Sequence, residues 1–169
     1  MEKFIKEWVL PIIAVVLLSI AIQKFLFFQI IVPTGSMRPT INEGDRIFVA
    51  KVYDPEKLET GDIVVFKVRP RGVETLYVKR LIGTPGDKVE INGGVVSVNG
   101  ETLDEPYIVY PDRYTGSFDV PEGKYFFMGD NRIDSKDSRY SEVGFIDTAD
   151  IVARAGLKFW PINGFGILK

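Results

Sequence analysis

Asp62-Ile63-Val64-Val65-Phe66-Lys67-Val68 is the stretch that decides the fold. β-branched and aromatic side chains fill it, Gly61-Asp62 marks its start, and it is too short for a helix of ordinary length, so it reads as a strand. Upstream, Arg46-Ile47-Phe48-Val49-Ala50-Lys51-Val52 repeats the pattern behind Gly44-Asp45. Downstream, Leu76-Tyr77-Val78-Lys79-Arg80-Leu81-Ile82 ends at Gly83-Thr84-Pro85-Gly86-Asp87, where Pro85 and Gly86 suit the central positions of a type II turn. Lys88-Val89-Glu90-Ile91, Asn92-Gly93-Gly94 and Val95-Val96-Ser97-Val98 predict a hairpin. Asp104 to Glu122, with its prolines, acids and scattered aromatics, reads as an excursion off the core. Tyr125-Phe126-Phe127-Met128 returns as a buried strand, and Ile151 to Trp160 is expected to be the last one. No long amphipathic helix and no internal repeat interrupts this series. The predicted class is mainly β, with an antiparallel, partly closed core that hides its edges and a small β excursion.

The chain is 169 residues long, enough for one domain with a core plus an anchor. A net charge of −2 argues against nucleic acid as a partner. With no cysteine there is no disulfide framework and no thiolate nucleophile. With no histidine, the usual general base near neutral pH is missing and a Ser-His-Asp triad is excluded. A serine nucleophile in this chain must use a lysine, a carboxylate or a terminal amine.

Ahead of the strands, Trp8 to Ile22 carries no charge and a single serine. Extended to Phe28 across Gln23 and Lys24, the run would span ~31 Å as a helix, close to the thickness of a bilayer core. Lys24 can carry its ammonium to one interface on its long stem, and Trp8 suits the other. Ser19-Ile20-Ala21 loosely offers a signal-peptide cleavage site, but cutting there would leave Phe25-Leu26-Phe27-Phe28 at a new, exposed terminus. The run is read as a retained anchor, preceded by Lys3 and Lys6.

Between anchor and strands lies Pro33-Thr34-Gly35-Ser36-Met37-Arg38-Pro39-Thr40. Proline fixes φ and glycine admits unusual backbone angles, so Ser36 sits on a constrained turn and is a candidate nucleophile. Lys79 is its best basic partner. On a strand it shares a face with Tyr77 and Leu81, where desolvation would bring its pKa down from ~10.4 toward the range of a working base. The loop Met128 to Arg139 is dense in short polar residues. An EF-hand reading fails there, because Arg132 and Ser135 occupy positions that need a ligand and a glycine. No metal ligand set and no cofactor motif is present.

These blocks, in this order, resemble the bacterial type I signal peptidases in the short, single-anchor form typical of Gram-positive bacteria. The likeness covers nearly everything from Val32 to Trp160. It implies that Ser36 is the nucleophile and Lys79 the general base, and that Thr34 supplies a hydroxyl to an oxyanion hole alongside the Ser36 backbone N–H. It further implies that Ser135 orients the lysine, that Asp137 pairs with Arg139 and Asp130 with Arg80, and that Val32, Pro33, Met37, Ile41, Tyr77 and Val78 line the substrate pockets. The implied reaction cuts signal peptides from exported preproteins after small-x-small sites through an acyl-enzyme. The implied partners are preprotein signal peptides, the lipid bilayer and nearby secretion machinery. The expected division is 1–28 for a cytoplasmic stub and anchor and 29–169 for an extracytoplasmic peptidase domain, with a variable excursion at 90–122. The competing reading is a membrane-tethered β domain that binds secreted chains without cutting them, for which Ser36 and Lys79 would be dispensable.

Overall fold

The computed structural model describes residues 2–168, so Met1 and Lys169, the outer limits of the expected division, lie outside the described residues. Among the described residues, one apolar helix is long enough to cross a membrane; it runs over Ile5–Phe25, and none of its side chains is buried against the rest of the protein. Its Ile5–Val9 portion is wound as a π-helix and Leu10–Phe25 as an α-helix. Pro11 stands in the first turn of the α-helical portion, where a missing N–H costs least. The helix stops at Phe25, short of the Phe28 limit read from hydropathy, because Phe27 and Phe28 already belong to the first strand.

Among the described residues, twelve strands follow: β1 (Phe27–Ile31), β2 (Arg46–Lys51), β3 (Ile63–Val68), β4 (Thr75–Gly83), β5 (Lys88–Asn92), β6 (Val95–Val98), β7 (Glu101–Thr102), β8 (Gly116–Asp119), β9 (Lys124–Met128), β10 (Ile146–Asp147), β11 (Ile151–Trp160) and β12 (Gly166–Ile167). The larger sheet runs β1-β2-β11-β3-β4-β9-β10, with β12 added beside β11. Every strand pair in both sheets is antiparallel. The short β12 follows the strand expected to be last, pairing Leu157 with Ile167.

Alternation along β3 explains why the larger sheet has two cores. Ile63 and Val65 face one side, packing with Val32, Met37, Ile41, Ile47, Val49, Val78, Ala153 and Ala155. Val64, Phe66 and Val68 face the other, with Leu81, Tyr125, Phe127, Ile146 and Ile151. A side chain of this kind stabilises the fold by about 1.5–3 kcal/mol when fully buried. A run of β-branched residues without polar alternation is therefore the signature of a strand covered on both faces.

β5 to β8 form a separate four-stranded sheet, ordered β7-β6-β5-β8, which begins at Lys88, ahead of the limit expected for the excursion. Thr84-Pro85-Gly86-Asp87 turns the chain into it as expected: Gly86 takes φ +86° and the Asp87 N–H donates to the Thr84 carbonyl at 3.1 Å. The small sheet docks through its own apolar cluster, in which Val89, Ile91, Val96 and Val120 meet Ile82, Phe126 and Met128 of the larger sheet.

β4 sets up the site. β3 pairs with it from Thr75 to Arg80, but β9 pairs with it only from Arg80 onward. Among the described residues, no strand is paired with Thr75–Val78 on the side away from β3. That open backbone edge runs directly into Lys79.

Candidate active site

Three segments converge at the end of this open edge. The turn after β1 brings Ser36, β4 brings Lys79, and the loop after β9 closes over both. Lys79 Nζ lies 2.6 Å from Ser36 Oγ and 3.2 Å from the Val78 carbonyl. Lys79 is 4% exposed and Ser36 9%. The ammonium also sits 5.2 Å from the centroid of the Tyr77 ring. The strand neighbours of Lys79 two positions to either side, Tyr77 and Leu81, pack in the apolar cluster that holds Phe66 and Phe127. Burial lowers the Lys79 pKa to about 8. The Asp137 and Asp130 carboxylates oppose that shift, and the Arg139 guanidinium reinforces it.

Thr34 Oγ1 stands 3.4 Å from Ser36 Oγ, on the same side of the turn. The loop after β9 reaches the turn from the other side. The Asn131 backbone N–H donates to the Ser36 carbonyl at 3.1 Å, and Asn131 Nδ2 donates to the Gly35 carbonyl at 3.1 Å. Gly129 makes this approach possible. A Cβ there would fall 2.5 Å from the Ser36 carbonyl oxygen and 2.2 Å from Ser135 Oγ.

Two buried ion pairs brace the loop. Arg80 Nε and Nη2 donate to Asp130 at 2.9 and 2.7 Å, and Thr40 Oγ1 donates to the same carboxylate at 2.6 Å. Arg139 Nε and Nη2 donate to Asp137 at 2.8 and 2.8 Å, and the Gly129 N–H donates to Asp137 at 3.0 Å. Burial works against the charge on each arginine, yet its carboxylate partner outweighs burial and leaves its pKa raised. Both fork geometries are bidentate, which strengthens and orients the pair.

A cleft of about 400 Å³ opens beside Ser36 and Lys79, walled by Val32, Pro33, Met37, Tyr77 and Val78. Exposed Asp134 and Lys136 stand at its rim. Ile41 does not belong to this wall. It is fully buried and packs in the core beneath, because the turn carries it inward past Met37. Ser135 is buried close to Ser36, but its Oγ has no hydrogen-bond partner among the described residues, and both hydrogen bonds of Lys79 go elsewhere.

Sequence reasoning passed over Asn131, Thr40, Glu105, Tyr107, Asp112 and Arg132, all of which bear on this loop. Gly129-Asp130-Asn131 could have hinted at Asn131. Nothing in the sequence ties Glu105 to Arg132, since that contact bridges 27 positions between two irregular segments. Among the described residues, no three His, Cys, Asp or Glu side chains gather in a way that could hold a metal ion.

The sequence profile of the family described as "Signal peptidase, peptidase S26" matches residues 5–160. The chain is 38% identical to "Signal peptidase IB" of Staphylococcus aureus (strain COL), over 98% of this chain and 94% of that one. It is also 38% identical to "Probable signal peptidase I-2" of a Synechocystis species, over 92% and 73% respectively. Among solved structures, a signal peptidase I from Enterococcus faecalis V583 is 36% identical, with a TM-score of 0.47, covering 56% of this chain and 93% of that one.

Proposed function

We propose, because the chain belongs to the signal peptidase (peptidase S26) family, that this membrane-anchored serine protease cuts signal peptides from preproteins with Ser36 as nucleophile and Lys79 as general base. The observation that carries this reading is the 2.6 Å approach of a buried lysine amine to a buried serine hydroxyl in a chain with no histidine.

When Lys79 is neutral, its amine accepts the proton of Ser36 Oγ as that oxygen attacks the carbonyl of the residue before the cut. The new oxyanion takes hydrogen bonds from the Thr34 hydroxyl and the Ser36 N–H; each such donor contributes about 3–4 kcal/mol in comparable sites. The Lys79 ammonium then gives its proton to the departing amine, releasing the mature protein and leaving an ester on Ser36. A water molecule attacks that ester as Lys79 takes its proton, Lys79 returns the proton to the departing Ser36 Oγ, and the signal peptide leaves with a free carboxyl end. Ser135 turns the amine toward the serine; its unpartnered hydroxyl beside the Ser36 carbonyl is available for that task.

The substrate adds as an extended strand along the open edge at Thr75–Val78, its backbone using groups that no neighbouring strand occupies. Small side chains enter the shallow apolar wall made by Val32, Pro33, Met37, Tyr77 and Val78, which favours small-x-small sites. The helix through Phe25 is the anchor, and the short segment ahead of it the cytoplasmic stub. The domain from β1 onward is the peptidase domain on the extracytoplasmic face, with the sheet of β5 to β8 as its excursion, close to the lipid surface and the secretion machinery.

The test is a cleavage assay in detergent with a preprotein carrying an Ala-x-Ala site, its products read by mass. Wild type is expected to cut once, directly after the second alanine, and Ser36→Ala not at all. A folded wild type that cuts nowhere between neutral and alkaline pH with lipid supplied would return the chain to the tethered-binder reading.

A further inference from the structure

Three arginines lie beneath the nucleophile, Arg80, Arg132 and Arg139, none more than 5% exposed. Each is gripped twice: once within the catalytic core, and once by the loop that joins β7 to β8 in the excursion. Arg132 donates from Nε to the Gly129 carbonyl at 3.1 Å, and from Nη1 and Nη2 to Glu105 at 3.1 and 2.5 Å. The Tyr107 ring covers the Arg80 guanidinium at 3.7 Å, and Tyr107 Oη donates to Glu105 at 2.8 Å. Arg139 pairs with Asp112, and Tyr114 Oη donates to the Arg139 carbonyl at 3.2 Å. Tyr110 makes an isolated parallel bridge with Asn131.

Apart from Tyr114, which also packs on it, these contacts are separate from the apolar cluster that docks the small sheet against Ile82, Phe126 and Met128. Nor are the three arginines equivalent. Arg80 and Arg139 keep Asp130 and Asp137 if the excursion lets go, whereas Glu105 is the only carboxylate paired with Arg132 among the described residues. Arg132 directly follows Asn131, which holds the Gly35 and Ser36 carbonyls. An uncompensated guanidinium in that buried place would move toward water and draw its neighbours with it. Burial, followed by the Glu105 carboxylate, pushes the Tyr107 phenol up, so it keeps its proton and remains a donor.

We propose that Glu105 is a positioning residue for the catalytic pair: through Arg132 and Tyr107 it locks the loop from Gly129 to Ser135 against the Gly35–Ser36 backbone, and so keeps Ser36 Oγ within reach of Lys79. This rests on the Ser36–Lys79 reading above. The excursion is then part of the catalytic apparatus rather than an appendage. Glu105 touches neither the cleft wall nor the serine, so its loss acts on the chemical step and leaves substrate binding in place.

The test uses the full chain in detergent, with kcat and KM measured on an Ala-x-Ala peptide well below the melting temperature and normalised to folded protein by near-ultraviolet dichroism. Glu105→Ala is expected to lower kcat about ten-fold or more with KM within about three-fold, since small misplacements of reacting groups are costly to rate. Glu105→Gln, which keeps the reach and one acceptor oxygen, recovers part of that loss. Should Glu105→Ala fail to fold, Tyr107→Phe removes only one hydroxyl and is expected to lower kcat by about three-fold in the same manner. Combined with Arg132→Ala, Glu105→Ala should add little to the loss, because both changes break one contact. The proposal is overturned if kcat per folded molecule stays within about two-fold of wild type in Glu105→Ala, if KM alone changes, or if the double variant is additive. A wild type that does not cut the peptide would instead sink the reading of Ser36 and Lys79.

Discussion

At the scale of single residues, the site turns on a lysine placed where lysines are unstable. Lys79 has a folded-state pKa lowered from 10.5 to about 8, chiefly by burial. Below about pH 8 both the folded and unfolded chains hold this proton, and the folded state bears the full cost of burying the charge. Between about 8 and 10.5 the unfolded chain retains more of the proton, so this contribution to stability rises with pH; above 10.5 the penalty is gone. Lys79→Met should therefore abolish turnover while stabilising the protein at pH 7 by at most about 3 kcal/mol. The gain should fade toward pH 10.5. Urea unfolding of the two proteins at both pH values checks this; a variant less stable than wild type at pH 7 would mean that the lysine's hydrogen bonds outweigh its desolvation. Much of this residue-scale picture was legible in advance. The absence of histidine left few bases, and strand alternation put Lys79 on an apolar face. Ile41 was misplaced because an apolar residue just after a functional turn looks the same in sequence whether it lines a cleft or fills the core below it.

At the scale of elements, the loop after β9 is held by close approach as much as by charge. Gly129→Ala would force a methyl group into the space between Ser135 Oγ and the Ser36 carbonyl, both under 2.6 Å from the added atom. The loop and the Ser36 turn must then separate, and kcat on a peptide substrate is expected to fall about 100-fold while the two sheets stay intact by far-ultraviolet dichroism. Activity within a few-fold of wild type would show that the turn and loop are not rigidly seated. The strands themselves were readable because β-branched runs and Gly-Asp punctuation are local signals. The helix limit was overshot for a related reason: hydropathy cannot separate the last apolar turn of a helix from an apolar strand, and Phe27–Phe28 continue one property across two structures. The clamp of Glu105 and Asp112 on Arg132 and Arg139 stayed invisible, since irregular segments distant in sequence leave no periodic trace of their pairing.

At the scale of the whole molecule, a helix with no buried side chain is joined to a domain whose strands carry their own cores. Among the described residues the helix end is tied to the domain where Lys51 Nζ donates to the Lys24 carbonyl at 2.6 Å and Tyr53 Oη donates to the Phe25 carbonyl. A chain starting at Lys24 should keep that connection, fold, and cut a short Ala-x-Ala peptide at close to the full-length rate, with its melting temperature changed by only about 2–4 °C. It should still need detergent, because Trp160, Ile162, Phe165 and Ile167 are exposed near the end of the chain, although Phe159 packs against Phe48 in a tilted pair with ring centroids 4.4 Å apart. Failure of the shortened chain to fold would show that the helix does more than anchor.

The role of Lys79 as base is tested by the pH dependence of kcat/KM for the wild-type protein on such a peptide. If neutral Lys79 is the base, the rate rises about ten-fold per pH unit on the acid side and levels off above an apparent pKa near 8. A profile that is flat from pH 6 to 9, or that levels off in the range of an ordinary carboxylate near ~4, would contradict the account and take Lys79 out of the role of base.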